Sequence, residues 1–242
     1  MPSTANLSDV FKSLTSITAY RAQPTSPADT TTTAALARDA AVIPVTSATG
    51  IVAAEPFFLI GDAGTELNTV ASIATTNVTP SRKVVIAQAI GARYLEAVAY
   101  SLGHIAEDSA QVGGSSSLNP IPAATSSVPI GYFNLGGALS FGFSLLGVNA
   151  RSFALAFGQE ELETGTGTSA DPWQNLAGQT TVGTHSMLCF RALGVLKSGK
   201  FIEVDMLDCT TEVAADLNIS GKSVRPIPVG GSCTGHIVRI WS

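Results

Sequence analysis

The chain has 242 residues, 45% apolar and only 13% charged, with a mean hydropathy of +0.31 and a formal net charge of −5. A chain this apolar and this weakly charged buries enough surface to offset its conformational entropy, which excludes intrinsic disorder. Thirteen Lys and Arg against eighteen Asp and Glu, with no basic run, exclude a protein that grips nucleic acid through its phosphates.

Every apolar run is cut well short of the roughly 18 residues that a spanning helix needs, so no membrane insertion is expected. Residues 1–9 lack a basic region followed by an apolar stretch, so the chain is expected to be made and kept in a reducing cytoplasm. Cys189, Cys209 and Cys233 are odd in number and have no C-x-x-C spacing. They are expected to be small apolar packers, not a disulfide framework or a zinc site.

In chain order, residues 1–40 hold one patterned stretch, 7–20, followed by a run rich in Pro, Ser and Thr. Such a segment builds no core of its own and is predicted to be an N-terminal arm lying on another surface or on a neighbouring subunit. Residues 41–45, 56–60, 67–73 and 83–87 are β-prone and are separated by turn sequences at 61–64 and 77–80. Together they predict a small all-β module over 41–92.

Residues 94–100 alternate as a strand, and 111–127, with a Gly-Gly-Ser-Ser-Ser run and two prolines, predict a long loop. A strand over 138–146 gives way at Asn149 to helical spacing, with Phe153 and Phe157 four apart and Gly158 placed to end the helix. Residues 160–172 predict an acidic, glycine-rich loop. Segments 187–195 and 201–208 flank a five-residue connection and predict a β-hairpin. Two closing strands follow, 225–229 and 233–241, and Pro226 and Pro228 place the first at a sheet margin.

Catalytic signatures are absent from the sequence: there is no G-x-S-x-G, H-E-x-x-H or P-loop pattern, and His104, His185 and His236 are scattered. No enzymatic activity, cofactor or metal is expected. Within 201–208, alternation sends Ile202, Val204 and Met206 to the core and sets Glu203 and Asp205 together on an exposed face. Two carboxylates there form either an ordinary solvated face or a surface that repels passing phosphates.

The succession of a strand at 94–100, a long loop, the strand-to-helix segment 138–158, an acidic loop, the hairpin 187–208 and the final strands 224–241 resembles the tail tube proteins of tailed bacteriophages. The carrying residues are Ala138-Leu139-Ser140-Phe141-Gly142-Phe143-Ser144-Leu145-Leu146 with Asn149 to Gly158, and Phe190-Arg191-Ala192-Leu193-Gly194 with Gly199-Lys200-Phe201-Ile202-Glu203-Val204. The resemblance implies a mainly β fold, a tail-tube-like β-sandwich or barrel with one flanking helix over 93–242, to which 41–92 adds its β module.

It further implies a structural virion protein, assembled in the host cytoplasm, whose six copies close into a ring. Rings stack into a tube that conducts the genome during ejection. Partners on this reading are the chain itself, sheath, baseplate, tape measure and tail terminator proteins, with DNA passing without specific contact. Glu203 and Asp205 become candidates to face the lumen. Gln111, Ser116, Glu160, Glu161 and Glu163 become candidate inter-subunit residues within the loops 111–127 and 159–172. A head decoration or a neck or baseplate component is the alternative, and a β-sandwich enzyme or carbohydrate-binding module is a third class.

Overall fold

Strand-forming alternation dominates the chain. The computed structural model, which describes residues 11–22, 26–102, 104–106, 109–123, 126–147, 149–156, 168–172, 188–212 and 226–242, is mainly β. A curled antiparallel sheet forms a half-barrel, accompanied by one short helix. The strands are β1 (Phe11–Ala22), β2 (Thr30–Thr31), β3 (Ile43–Pro44), β4 (Pro56–Gly61), β5 (Gly64–Ala74), β6 (Asn77–Pro80), β7 (Arg93–Ser101), β8 (Gln111–Ala123), β9 (Ser126–Leu145), β10 (Leu188–Leu196), β11 (Phe201–Glu212) and β12 (Ile227–Trp241). The helix α1 is Ala150–Ala156. Strand order is β3-β6-β5-β4-β7-β1-β10-β11-β12-β9-β8, with β2 on β7.

Residues 11–22 do not lie on a surface as an arm. They form an internal strand, hydrogen-bonded to β10 on one side and β7 on the other, with Ile17 and Ala19 buried. The strands within 41–92 likewise join this sheet, since β4 pairs with β7 from Phe57↔Glu96 to Ile60↔Arg93. Two expected strands there shrink or vanish. Of 41–45, Ile43–Pro44 pairs with β6 and Val45 adds only an isolated bridge to Thr32. Residues 83–87 are irregular, because the Val85 and Ile86 N–H groups donate to the Glu66 carboxylate instead of to a neighbouring strand.

The predicted loop at 111–127 is a second departure. Residues 111–123 form β8 and pair with β9 down to Ala123↔Ser126, making one long hairpin. A run of small residues with no bulky core face carries little sequence signal for a strand, yet its backbone pairs with β9 along its length apart from two register shifts.

The hairpin β10–β11 matches its prediction. Gly199, at φ +81°, donates its N–H to Leu196 O at 2.9 Å and closes the turn. Helix α1 also forms where the spacing placed it. The Asn149 side chain accepts the Ser152 N–H at 2.8 Å, and the Ser152 hydroxyl accepts the Asn149 N–H at 2.9 Å, a reciprocal cap. Gly158 lies outside the described residues.

The two predicted closing strands are one, β12, and it is internal. Pro228 is nonetheless at a local margin: it faces Ser144 of β9, whereas pairing with β11 begins at Gly230. Gly231 permits the close approach of β11, because a Cβ there would run into the Thr210 carbonyl.

The sheet's two faces carry separate cores. On one face Phe190 meets Phe141 and Phe143 at ring-centroid distances of 5.0 and 5.2 Å, and α1 supplies Leu155 and Ala156. Such aromatic contacts add about 0.5–1.5 kcal/mol each beyond their buried area. On the other, inside the curl, Phe58, Leu67 and Leu95 pack on Cys189, Leu207 and Ile237. Asp208, at φ +48°, breaks the alternation of β11, so Met206 and Cys209 join the same core although they are three apart.

Candidate functional site

Curling of the sheet decides the fate of Glu203 and Asp205. In β11 their neighbours Ile202 and Met206 are buried on one face, as alternation predicts. The opposite face is not solvent: β5 folds over it, and Glu203 and Asp205 are only 1% and 0% exposed. The expectation of an exposed acidic face is therefore corrected. Strand alternation reports which side a residue takes, and a curled sheet covers both sides.

A charge network occupies that covered face. Arg191 of β10 donates from Nε to Asp205 Oδ1 at 2.6 Å and from its terminal nitrogen to Oδ2 at 3.0 Å, with a further bond to Leu67 O at 3.1 Å. Arg82 reaches both Glu203 oxygens at 2.5 and 2.6 Å. Arg239 of β12 binds Glu203 at 3.0 Å, Glu66 at 3.2 Å and also Asp205.

Three guanidinium groups thus meet three carboxylates, all within one chain. Burial works against the charge of Arg191, but the hydrogen bond and charge of Asp205 outweigh it and raise its pKa. The Glu66 carboxylate is shared further with the Val85 and Ile86 N–H groups. With every carboxylate engaged by guanidinium, the arrangement is a clamp joining β5 and residue 82 to β10, β11 and β12.

On the sheet face opposite the clamp lies an apolar surface that sequence reasoning did not single out. Val204 of β11 is paired with Val238 of β12 and Ile202 with Ile240. Val238 and Ile240 are 57% and 54% exposed. At the same end, exposed Phe201 stacks on Trp241 at 5.8 Å and the Arg82 guanidinium sits 4.7 Å over the Trp241 ring. Pairing of β12 with β9 stops at Cys233↔Leu139, so beyond Cys233 the strand has β11 as its one ladder partner among the described residues. Exposed apolar side chains thus flank an open strand edge, the combination that invites a further strand.

A third feature joins all three cysteines near the kink at Asp208. The Asp208 N–H donates to Cys189 Sγ at 3.3 Å, Cys209 Sγ lies 3.2 Å from Met206 O, and Cys233 Sγ lies 2.9 Å from His236 Nε2. All three thiols are free and buried. The expected role as packers accounts for their burial, Cys209 and Cys233 in one core and Cys189 in the other.

Of the candidate inter-subunit residues, Gln111 is exposed at the start of β8 and lines a groove of about 420 Å³ with Ser140, Phe141, Glu212 and Ser232. Ser116 lies in β8, its backbone opposite Gly137. Glu160, Glu161 and Glu163 fall outside the described residues. Among the described residues no cluster of His, Cys, Asp and Glu is arranged to hold a metal, and no helix is long and apolar enough to cross a membrane. No protein-family model matches the sequence, and no curated protein matches it.

Proposed function

We propose that the chain is a structural protein of a bacteriophage virion, a tail tube subunit whose copies close into hexameric rings that stack into a conduit for the genome. The observation that carries this reading is the open edge of β12 beyond Cys233, flanked by exposed Val238 and Ile240 on a curled half-barrel. A half-barrel with an unpaired edge and an apolar margin suits continuation by a neighbouring copy, and ring closure removes such edges. The flanking helix α1 and the β10–β11 hairpin fit the order of elements that first suggested the family.

The wall of such a conduit takes its repulsion of DNA from the net charge of −5, not from Glu203 and Asp205, whose charge is spent within the clamp. Sheath, baseplate, tape measure and terminator proteins are the further partners this reading carries with it.

Negative-stain electron microscopy of the purified chain across a concentration series tests it. Hollow rings and tubes are expected, and Val238→Lys is expected to abolish them while the unfolding midpoint stays nearly unchanged. Closed trimers or a single ring that never stacks would move the assignment to a head decoration or neck component. Monomers at every concentration, also in the presence of a tube fragment as initiator, would overturn the assembly reading.

A further inference from the structure

We infer that Cys209 and Cys233 are a cross-strand dithiol that a peroxide converts to a disulfide, with Cys233 the attacking sulfur and Cys209 the resolving one. The inference does not depend on the assembly proposed above.

Geometry supplies the pairing. Cys209 of β11 and Cys233 of β12 are direct partners in the antiparallel ladder. Residues so placed have Cα atoms about 4.5 or 5.5 Å apart, inside the range of about 4.4–6.8 Å that a disulfide spans. Both side chains enter the same core, so their Cβ atoms lie on one face of the sheet.

The two sulfurs are not equivalent. Burial drives the Cys209 thiol upward. The Cys233 thiol is lowered, because its interaction with the Cys209 side chain outweighs its own burial. The groups around this sulfur are Cys209, with Cys189 beyond it, and the imidazole of His236, whose Nε2 is 2.9 Å away. Burial holds His236 toward its neutral form, in which the ring can accept the Cys233 proton. Cys233 is the most exposed of the three at 8%, against 4% for Cys209 and 0% for Cys189, and His236 beside it is half-buried. Cys189 is fully enclosed, its thiol raised by burial.

The chemistry balances with hydrogen peroxide as the oxidant. The Cys233 thiolate attacks one peroxide oxygen, the O–O bond breaks, and a sulfenic acid forms as hydroxide leaves and takes up a proton as water. The Cys209 sulfur then attacks Cys233 Sγ. The S–S bond forms, the S–O bond breaks, and the departing hydroxide leaves as a second water with the Cys209 proton. Two thiols lose two hydrogens and one peroxide is reduced to two waters.

The test treats the full-length protein with hydrogen peroxide, blocks remaining thiols with N-ethylmaleimide and maps the non-reduced digest by mass spectrometry. The expected product is an intramolecular link between the peptides holding Cys209 and Cys233, lighter by two hydrogens and reversed by dithiothreitol. Cys189→Ser is expected to leave the link intact. Cys209→Ser is expected to stop oxidation at a Cys233 sulfenic acid that dimedone captures. A link involving Cys189 would overturn the proposal, as would three thiols that stay free in the folded protein under peroxide that oxidises them in urea. Dimedone capture at Cys209 in place of Cys233 would overturn the assignment of the attacking sulfur.

Discussion

Asp205 shows how much a single buried charge can hold. It is enclosed completely, and it faces Arg191, 7% exposed, and Arg239, 10% exposed. Assembling such a cluster costs desolvation that the ion pairs roughly repay, but removing one member strands the others. Asp205→Asn is therefore expected to lower stability by about 3–5 kcal/mol, read as a shift in the urea midpoint at constant slope. Arg82→Met should cost less, because Arg82 is 34% exposed and water can replace part of what Glu203 loses. His236 adds a pH dependence. Its folded pKa is depressed by burial, so below about 6.5 the unfolded chain binds a proton that the folded chain resists. Stability should fall as pH drops from that value toward the folded pKa, and His236→Gln should flatten this part of the profile.

Among the elements, α1 is short enough to depend on its cap. Seven residues cannot hold a helix in isolation, and the Asn149–Ser152 exchange of hydrogen bonds fixes the first turn while Leu155 and Ala156 anchor the other end. Asn149→Ala is expected to cost about 0.5–2 kcal/mol by thermal denaturation. This helix and the β10–β11 hairpin were legible in the sequence because each announces itself locally, through a capping residue, a four-residue aromatic spacing or a glycine turn. Strand β8 was not, since Gly113, Gly114 and the serines after them show no alternation. The Glu203 and Asp205 pair was half legible: the strand and its alternation were readable, but the cover over the acidic face comes from Glu66 and Arg82, more than 100 residues earlier. The open edge of β12 was invisible for the same reason, being defined by where β9 parts from β12 to continue with β8 alone and not by any residue of β12 itself.

For the whole molecule, the sheet order sets a sequence of events in time. Strand β1 sits between β7 and β10, so Thr18 is bonded to Ser101 on one side and Arg191 on the other. During synthesis the chain carries β1 with neither neighbour until β7 emerges, and with one bare edge until nearly 200 residues have been made. The clamp is completed later still, because Arg239 is its last member in the chain. Contacts so distant in sequence make for slow folding and a long exposure of unpaired strand. The step that guards against premature association is thus the arrival of β10, which seals β1 from the side that would otherwise pair with another nascent chain.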